Sequence, residues 1–345
     1  MTRKQILFVL ALVLALGAAS CAPAATPAPT PTIAATTPAS AITAGADVAP
    51  TTVPPTSTAV PATTAPTPIT LTDVAGRKVT LAVPPQRIIS LAPSNTEILF
   101  ALDLGPKVVA VDDFSDYPVE AKALPKIGGS SGKYNFEQIV ALKPDLILAA
   151  EITSPEAIKK LEDLKLTVAV VSVTQTSFDS ILNDITLVGQ MTGQVEQAQL
   201  VTSAMKQKMD AIKSKVATAK TQPRVYWELD ASDPAKLFTV GPGNFVNDLI
   251  TLAGGVNVFG TASKPYPQIS VEQVVTANPD VIILSDAAYG ITVESVLKRS
   301  GWENIAAVQK KQVFPIDSNL TNRPGPRIVD GFEAVARLIH PELFK

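Results

Sequence analysis

In 345 residues the chain has one cysteine, Cys21, and one histidine, His340. A single cysteine excludes an internal disulfide. One histidine near the C-terminus cannot complete a Ser-His-Asp set, and no cysteine stands in the body of the chain to serve as a nucleophile. Imidazole and thiolate ligands are therefore lacking, which disfavours a site for a bare transition-metal ion. The glycine-containing stretch Gly241–Asn244 lacks the Lys-Ser/Thr pair of a phosphate-binding loop. Asp112 and Asp113 are adjacent, and neighbouring carboxylates need not face one another. A net charge of −2 leaves no electrostatic footprint for nucleic acid. These absences point away from an enzyme, and no resident metal or cofactor is expected.

What is present begins with a leader. Arg3 and Lys4 precede an almost wholly apolar run, Ile6 to Leu16, followed by small residues up to Cys21. The run is too short to span a bilayer and reads as a secretory signal over 1–21. Residues 22–68 are nearly all Ala, Thr and Pro, with one charge, Asp47, and no aromatic residue. Such a segment cannot bury enough apolar surface to offset its ordering entropy, and its prolines favour extended conformations. It is expected to be a disordered tether. The end of the leader resembles a bacterial lipobox, which makes Cys21 the expected lipidation site. It implies a protein anchored to the outer face of the cytoplasmic membrane, or periplasmic.

The folded body is expected from residue 69. "ITLTDVAGRKVTL" alternates about a turn at Ala75–Gly76 and reads as a hairpin. "RIISLAPSNTEILFALDLG" reads as strand, turn and helix, with Ser94 and Glu97 as a capping box and Gly105 after the helix end. Strands follow at 107–111, 146–149 and 167–171, with a helix near 155–164. From Gln194 to about Lys220 there is no Pro or Gly. That run predicts a helix of roughly 40 Å, with Val195, Ala198, Val201, Met205, Met209 and Ile212 on one packed face. Strands then resume at 224–229 and 236–240, followed by a helix after Asn244 and by "DVIILS" and "KQVFPI". Alternating strands and helices argue for mainly parallel, doubly wound sheets. The expected fold class is α/β: two doubly wound, Rossmann-like lobes, 69–192 and 222–345, bridged by a single long α-helix over 193–221.

Each lobe holds one copy of a short unit. "NFEQIVALKPDLIL" at 135–148 and "SVEQVVTANPDVII" at 270–283 share six of fourteen positions at a constant offset of 135. Asn135 and Ser270 stand where an N-cap belongs, with Gln138 and Gln273 three residues later. Glu137 and Glu272 fall at the second helical position, where a carboxylate is favoured by the helix dipole. The residue before Pro144 or Pro279 is forced out of the helical region and ends the helix. A local structural reason thus exists for every position of the repeat.

The ordered set "RIISLAPSNTEILFAL", "DDFSDYPVEAKALPKIGG", "NFEQIVALKPDLIL", "YPQISVEQVVTANPDVIIL" and "NRPGPRIVDG" resembles the ABC-transporter solute-binding proteins for cobalamin, iron–siderophores and haem. The resemblance covers about residues 69–345. It implies a ligand cleft between the lobes, modest closure on binding, and a permease dimer with its ATPase subunits as partners. It also implies that one glutamate from each lobe, Glu137 and Glu272, docks onto arginines of that dimer. The folded body is expected to be monomeric.

By the same resemblance Phe114, Tyr117, Phe238, Tyr266, Asn319 and Arg323 are the candidate ligand-binding residues. "FSDYP" is most similar to the cobalamin-binding members. Aromatic faces suit a flat macrocycle. Arg323 suits a phosphate or carboxylate unless it is held in a structural ion pair, and Asn319 suits amide or ring substituents. The cobalamin binders carry tryptophans at positions matching Ser131 and Ala150, and an aspartate at that of Asn319. The changes here imply a bulkier or differently decorated ligand, or a weaker grip. A cobalt corrinoid is the first expectation, a ferric siderophore the second, and haem the third. His340 is expected to cap the last helix rather than to ligate. A surface receptor that senses ligand without import, and a secreted enzyme, are the alternatives of other classes.

Overall fold

The computed structural model describes residues 68–129, 132–172 and 177–345. The expected leader with Cys21, all but the last residue of the expected tether, and Ser131 lie outside the described residues. Among the described residues no helix is long and apolar enough to cross a membrane.

The first half opens with an antiparallel hairpin, β1 (Ile69–Thr72) and β2 (Lys78–Leu81). Then come β3 (Ile88–Ser90), α1 (Pro93–Ala101), β4 (Val108–Val111), α2 (Phe136–Ala141), β5 (Leu146–Ala150), α3 (Pro155–Asp163), β6 (Val168–Ser172) and α4 (Phe178–Thr192). Helix α5 (Val195–Val216) follows. The second half comprises β7 (Arg224–Asp230), β8 (Leu237–Thr239), α6 (Phe245–Leu252), β9 (Val256–Asn257), β10 (Gln268–Ile269), α7 (Val271–Ala277) and β11 (Val281–Leu284). It ends with α8 (Val293–Leu297), α9 (Ala306–Gln309), β12 (Val313–Pro315), α10 (Ser318–Thr321) and α11 (Ile328–Ile339).

The first sheet is parallel in the order β4-β3-β5-β6. Strands β9, β7, β11 and β12 repeat that order in parallel, and the antiparallel β8 and β10 extend the sheet beside the carboxyl end of β7. In each half the first strand therefore lies between the second and the third. This is the strand order that opens a crevice at the carboxyl ends where the winding reverses.

Alternating residues on each strand divide the apolar core. Leu146, Leu148, Ala169, Val171, Val225, Trp227, Val281 and Ile283 join one cluster that also contains Met205, Met209 and Ile212 of α5 and Phe332 and Val335 of α11. Their neighbours on the opposite strand faces form separate clusters, Ile147, Ala149 and Val170 in the first half and Tyr226, Ile282 and Leu284 in the second. Helix α5 packs on α4 and on α11, so it touches one helix from each half. Gly193 ends α4 in the left-handed conformation, φ 76°. Gly189 lets α5 close in, since a Cβ there would stand 2.5 Å from that of Ala198. Glu196 in the first turn and Lys213 and Lys215 in the last complement the helix dipole.

The structure corrects several details of the sequence reading. Helix α5 has 22 residues, about 33 Å at 1.5 Å each, and stops at Val216 rather than near Lys220. Its Val195 is exposed, while Ala198, Met205, Met209 and Ile212 are buried. Helix α1 begins at Pro93 with Ala92 as N-cap and no side-chain cap, so Ser94 and Glu97 form no capping box. The chain reverses after α1 at Asp103, φ 58°, and Gly105 instead starts a short 3-10 turn.

Candidate functional site

The carboxyl ends of both sheets line one open cleft of about 480 Å³. Ser94 after β3, Phe114 after β4, Ala150 and Ile152 at the end of β5, and Ser172 of β6 form one wall. Leu229 of β7, Phe245 at the start of α6, Tyr266, Tyr289 after β11, and Asn319, Asn322, Arg323 and Pro324 after β12 form the other.

Local bonding fixes these side chains. Phe114 donates its backbone N–H to the Asp112 carboxylate at 3.0 Å. Asp112 is itself buried in a chain of hydroxyls running through Ser115 and Thr96 to Ser90. Burial pushes the Asp112 carboxyl up, against the opposing bonds from Ser115 and the Phe114 N–H. Tyr266 sits between two prolines whose carbonyls are held by the chain around β8: Gly241 N–H bonds Pro265 and Thr239 N–H bonds Pro267. Asn244 caps α6 through the N–H groups of Val246 and Asn247 and donates to Pro265. The Tyr266 phenol is half-buried, and burial raises its pKa. Asn319 lies in α10, whose start is capped by the Asp317 carboxylate accepting the Asn319 N–H at 2.9 Å.

Phe114, Tyr266, Asn319 and Arg323 come together in the cleft; Tyr117 and Phe238 do not line it. Tyr117 lies under the Arg327 guanidinium, 3.7 Å from its ring centroid, beside a second cavity formed with Phe100 and Leu124. Phe238 pairs across the sheet with Gln268. Ala150 lies on the wall, so no large side chain fills the cleft there. His340 is fully buried, with Nδ1 3.2 Å from Glu342, and it forms the C-cap of α11.

Two features escaped the sequence reading. Tyr289, 85% exposed on the short turn after β11, adds an aromatic to the second wall. No repeat or spacing marks it; an aromatic just past a buried strand and before Gly290 was the available signal. The other feature is the extent of an ion network across the halves, in which Arg323 takes the structural ion pair that the sequence left open. Arg327 holds both oxygens of buried Glu97, at 2.9 and 2.6 Å. Arg323 reaches Asp116 at 2.6 Å, Glu97 at 3.4 Å and the Phe114 carbonyl at 3.3 Å. Burial works to raise the Asp116 carboxyl, but the Arg323 guanidinium outweighs it and holds the group below its ordinary value.

Glu137 and Glu272 are both exposed at the second position of their helices. The Asn135 side chain accepts from Gln138 N–H, and Ser270 and Gln273 form a reciprocal capping box. Lys143 and Asn278 end the two units with φ of 47° and 42°. Asp145 then accepts from the N–H groups of Gln86 and Arg87, and Asp280 from that of Arg224, so the two turns are pinned alike. Asn135 N–H bonds Ile127, whose own N–H bonds Val111 at the end of β4. Ser270 follows β10, which pairs with β8 beside the end of β7. Each glutamate helix thus starts at the carboxyl edge of its own sheet, the edge that also lines the cleft. The Ser270 hydroxyl and the helix-start backbone hold the Glu272 carboxyl below its ordinary value.

Residues 88–320 match the family model described as periplasmic binding protein. The ABC transporter substrate-binding lipoprotein YvrC of Bacillus subtilis is 34% identical over 81% of this chain and 87% of its own length. The periplasmic vitamin B12 binding protein BtuF of Vibrio cholerae superposes with a TM-score of 0.65 at 32% identity, covering 76% of this chain and 99% of that one. A possible iron-binding, periplasmic solute-binding protein of Staphylococcus epidermidis gives 0.66 at 31% identity, over 74% and 99%.

Proposed function

The chain belongs to the periplasmic binding protein family, a family of substrate-binding proteins rather than enzymes, and on that premise we propose that it is the extracytoplasmic solute-binding component of an ABC importer whose cleft takes a corrinoid. The observation that carries the ligand reading is that aromatic side chains from both halves line the cleft. Phe114, 55% exposed, comes from the first half; Tyr266 and the exposed Tyr289 come from the second. A flat macrocycle presents two faces to such a cleft, and aromatic rings stack on both. The Asn319 side chain, with no hydrogen bond among the described residues, is left to bond amide substituents at the ligand's edge. Similarity to a vitamin B12 binding protein supports the same reading.

A ferric siderophore is the second reading, supported by the iron-binding neighbour. Haem is the third reading. His340 is sealed in the core, so the cleft tyrosines Tyr266 and Tyr289 are the axial donors left to it. In this reading Glu137 and Glu272 dock on the permease dimer, Cys21 carries the lipid anchor and the tether gives the body reach. The test is calorimetric titration of the purified protein and its Phe114→Ala and Tyr266→Ala variants with cyanocobalamin. Each variant is expected to bind about tenfold or more weakly, the loss of one aromatic contact. Equal affinity in both variants would remove the aromatic walls from the binding site.

A further inference from the structure

We infer that the cleft is built for a ligand without net negative charge, because the one arginine on its walls is already neutralised by the protein. This deepens the corrinoid reading and rests on the cleft being the ligand site. Arg323 is the only cationic side chain among the described wall residues. Its Nη1 donates to Asp116 at 2.6 Å and lies 3.4 Å from Glu97, while Nη2 donates to the Phe114 carbonyl at 3.3 Å. Glu97 in turn has both oxygens held by Arg327. Two carboxylates and two guanidinium groups bond to one another, so the Arg323 charge is already met by the protein. An anion entering the cleft must displace Asp116 from Arg323 before it gains a cation. Discrimination of this kind comes from the wrong ligand's unmet charge rather than from added contacts to the right one.

The probes are cyanocobalamin, whose charges cancel, a ferric trihydroxamate, likewise neutral, and a ferric triscatecholate, which carries three net negative charges. Calorimetry on the full protein is expected to show a neutral probe bound at least about tenfold more tightly than the triscatecholate. Asp116→Asn keeps the shape but releases Arg323, and is expected to shift the ratio of affinities about tenfold towards the anion. A triscatecholate bound as tightly as, or more tightly than, both neutral probes overturns the inference, as does a ratio unmoved in the variant. If Asp116→Asn does not fold, the ranking by the unmodified protein decides alone. Binding of the neutral trihydroxamate but not of cyanocobalamin sinks the corrinoid reading and leaves the charge inference standing. A protein that binds none of the three overturns both.

Discussion

Glu97 is 3% exposed, yet it carries a charge and meets two guanidinium groups that come from 226 and 230 residues further along the chain. A buried carboxylate is tolerable only with such partners, and removing one side of a buried pair strands the other. Glu97→Ala takes from Arg327 both of its carboxylate bonds, while Arg323 keeps Asp116. It is expected to lower stability by about 3–5 kcal/mol, the cost of breaking a buried pair, measured by urea denaturation. A loss below about 1 kcal/mol would place the pair among solvent-screened surface bridges. The sequence offered Glu97 a local role, the third position after Ser94, and local pattern is all that spacing can see. Its actual partners are set by how the two halves meet, which no window of ten or twenty residues contains. For Arg323 both a place in the cleft and a structural ion pair were legible as alternatives, while the identity of its partner, Asp116, was not.

At the scale of the element, legibility was high wherever one short stretch decides the outcome. The paired helix starts at Asn135 and Ser270, the stops before Pro144 and Pro279, and the parallel strands that follow all depend on neighbours within five residues. The long helix was visible from its lack of Pro and Gly, and its end was overrun because the residues after Val216 still suit a helix. Short pieces such as β9, β10 and α8 to α10 left no periodicity, since two to five residues complete no repeat. Helix α4 holds a further consequence. Asp184 is buried within it, and burial pushes its carboxyl up to about 7 from 3.8. The folded state therefore binds this proton more tightly than the unfolded chain. The stability tied to it is fully present below about pH 4 and is lost as pH rises through about 7. Asp184→Asn, which mimics the protonated form, is expected to match the parent near pH 4 and to exceed it at pH 8. The gain has an upper bound of roughly 4 kcal/mol, from the size of the shift. Thermal melts at the two pH values check this; a variant less stable at pH 8 would contradict it.

The whole molecule is one motif used twice. The strand order repeats, the turns after α2 and α7 are pinned by matching aspartates, and one apolar core continues through α4, α5 and α11 from sheet to sheet. Opening the halves widely would expose that shared core, at about 25 cal/mol per Å² of apolar surface. Modest closure on binding is the expected behaviour. The repeat also sets one exposed glutamate at the carboxyl edge of each sheet. Helix capping is served by Asn135 and by the Ser270–Gln273 box, so neither glutamate is needed as the cap. A receiver made of two like subunits, each offering a basic patch, would use both.

The central claim is that this protein delivers what its cleft captures to such a receiver. The most direct test is ligand uptake by cells whose only copy of the protein carries Glu137→Ala together with Glu272→Ala, alongside binding by the purified variant. The account predicts that uptake is lost while the variant binds ligand as tightly as the parent. Undiminished uptake by the double variant would contradict it.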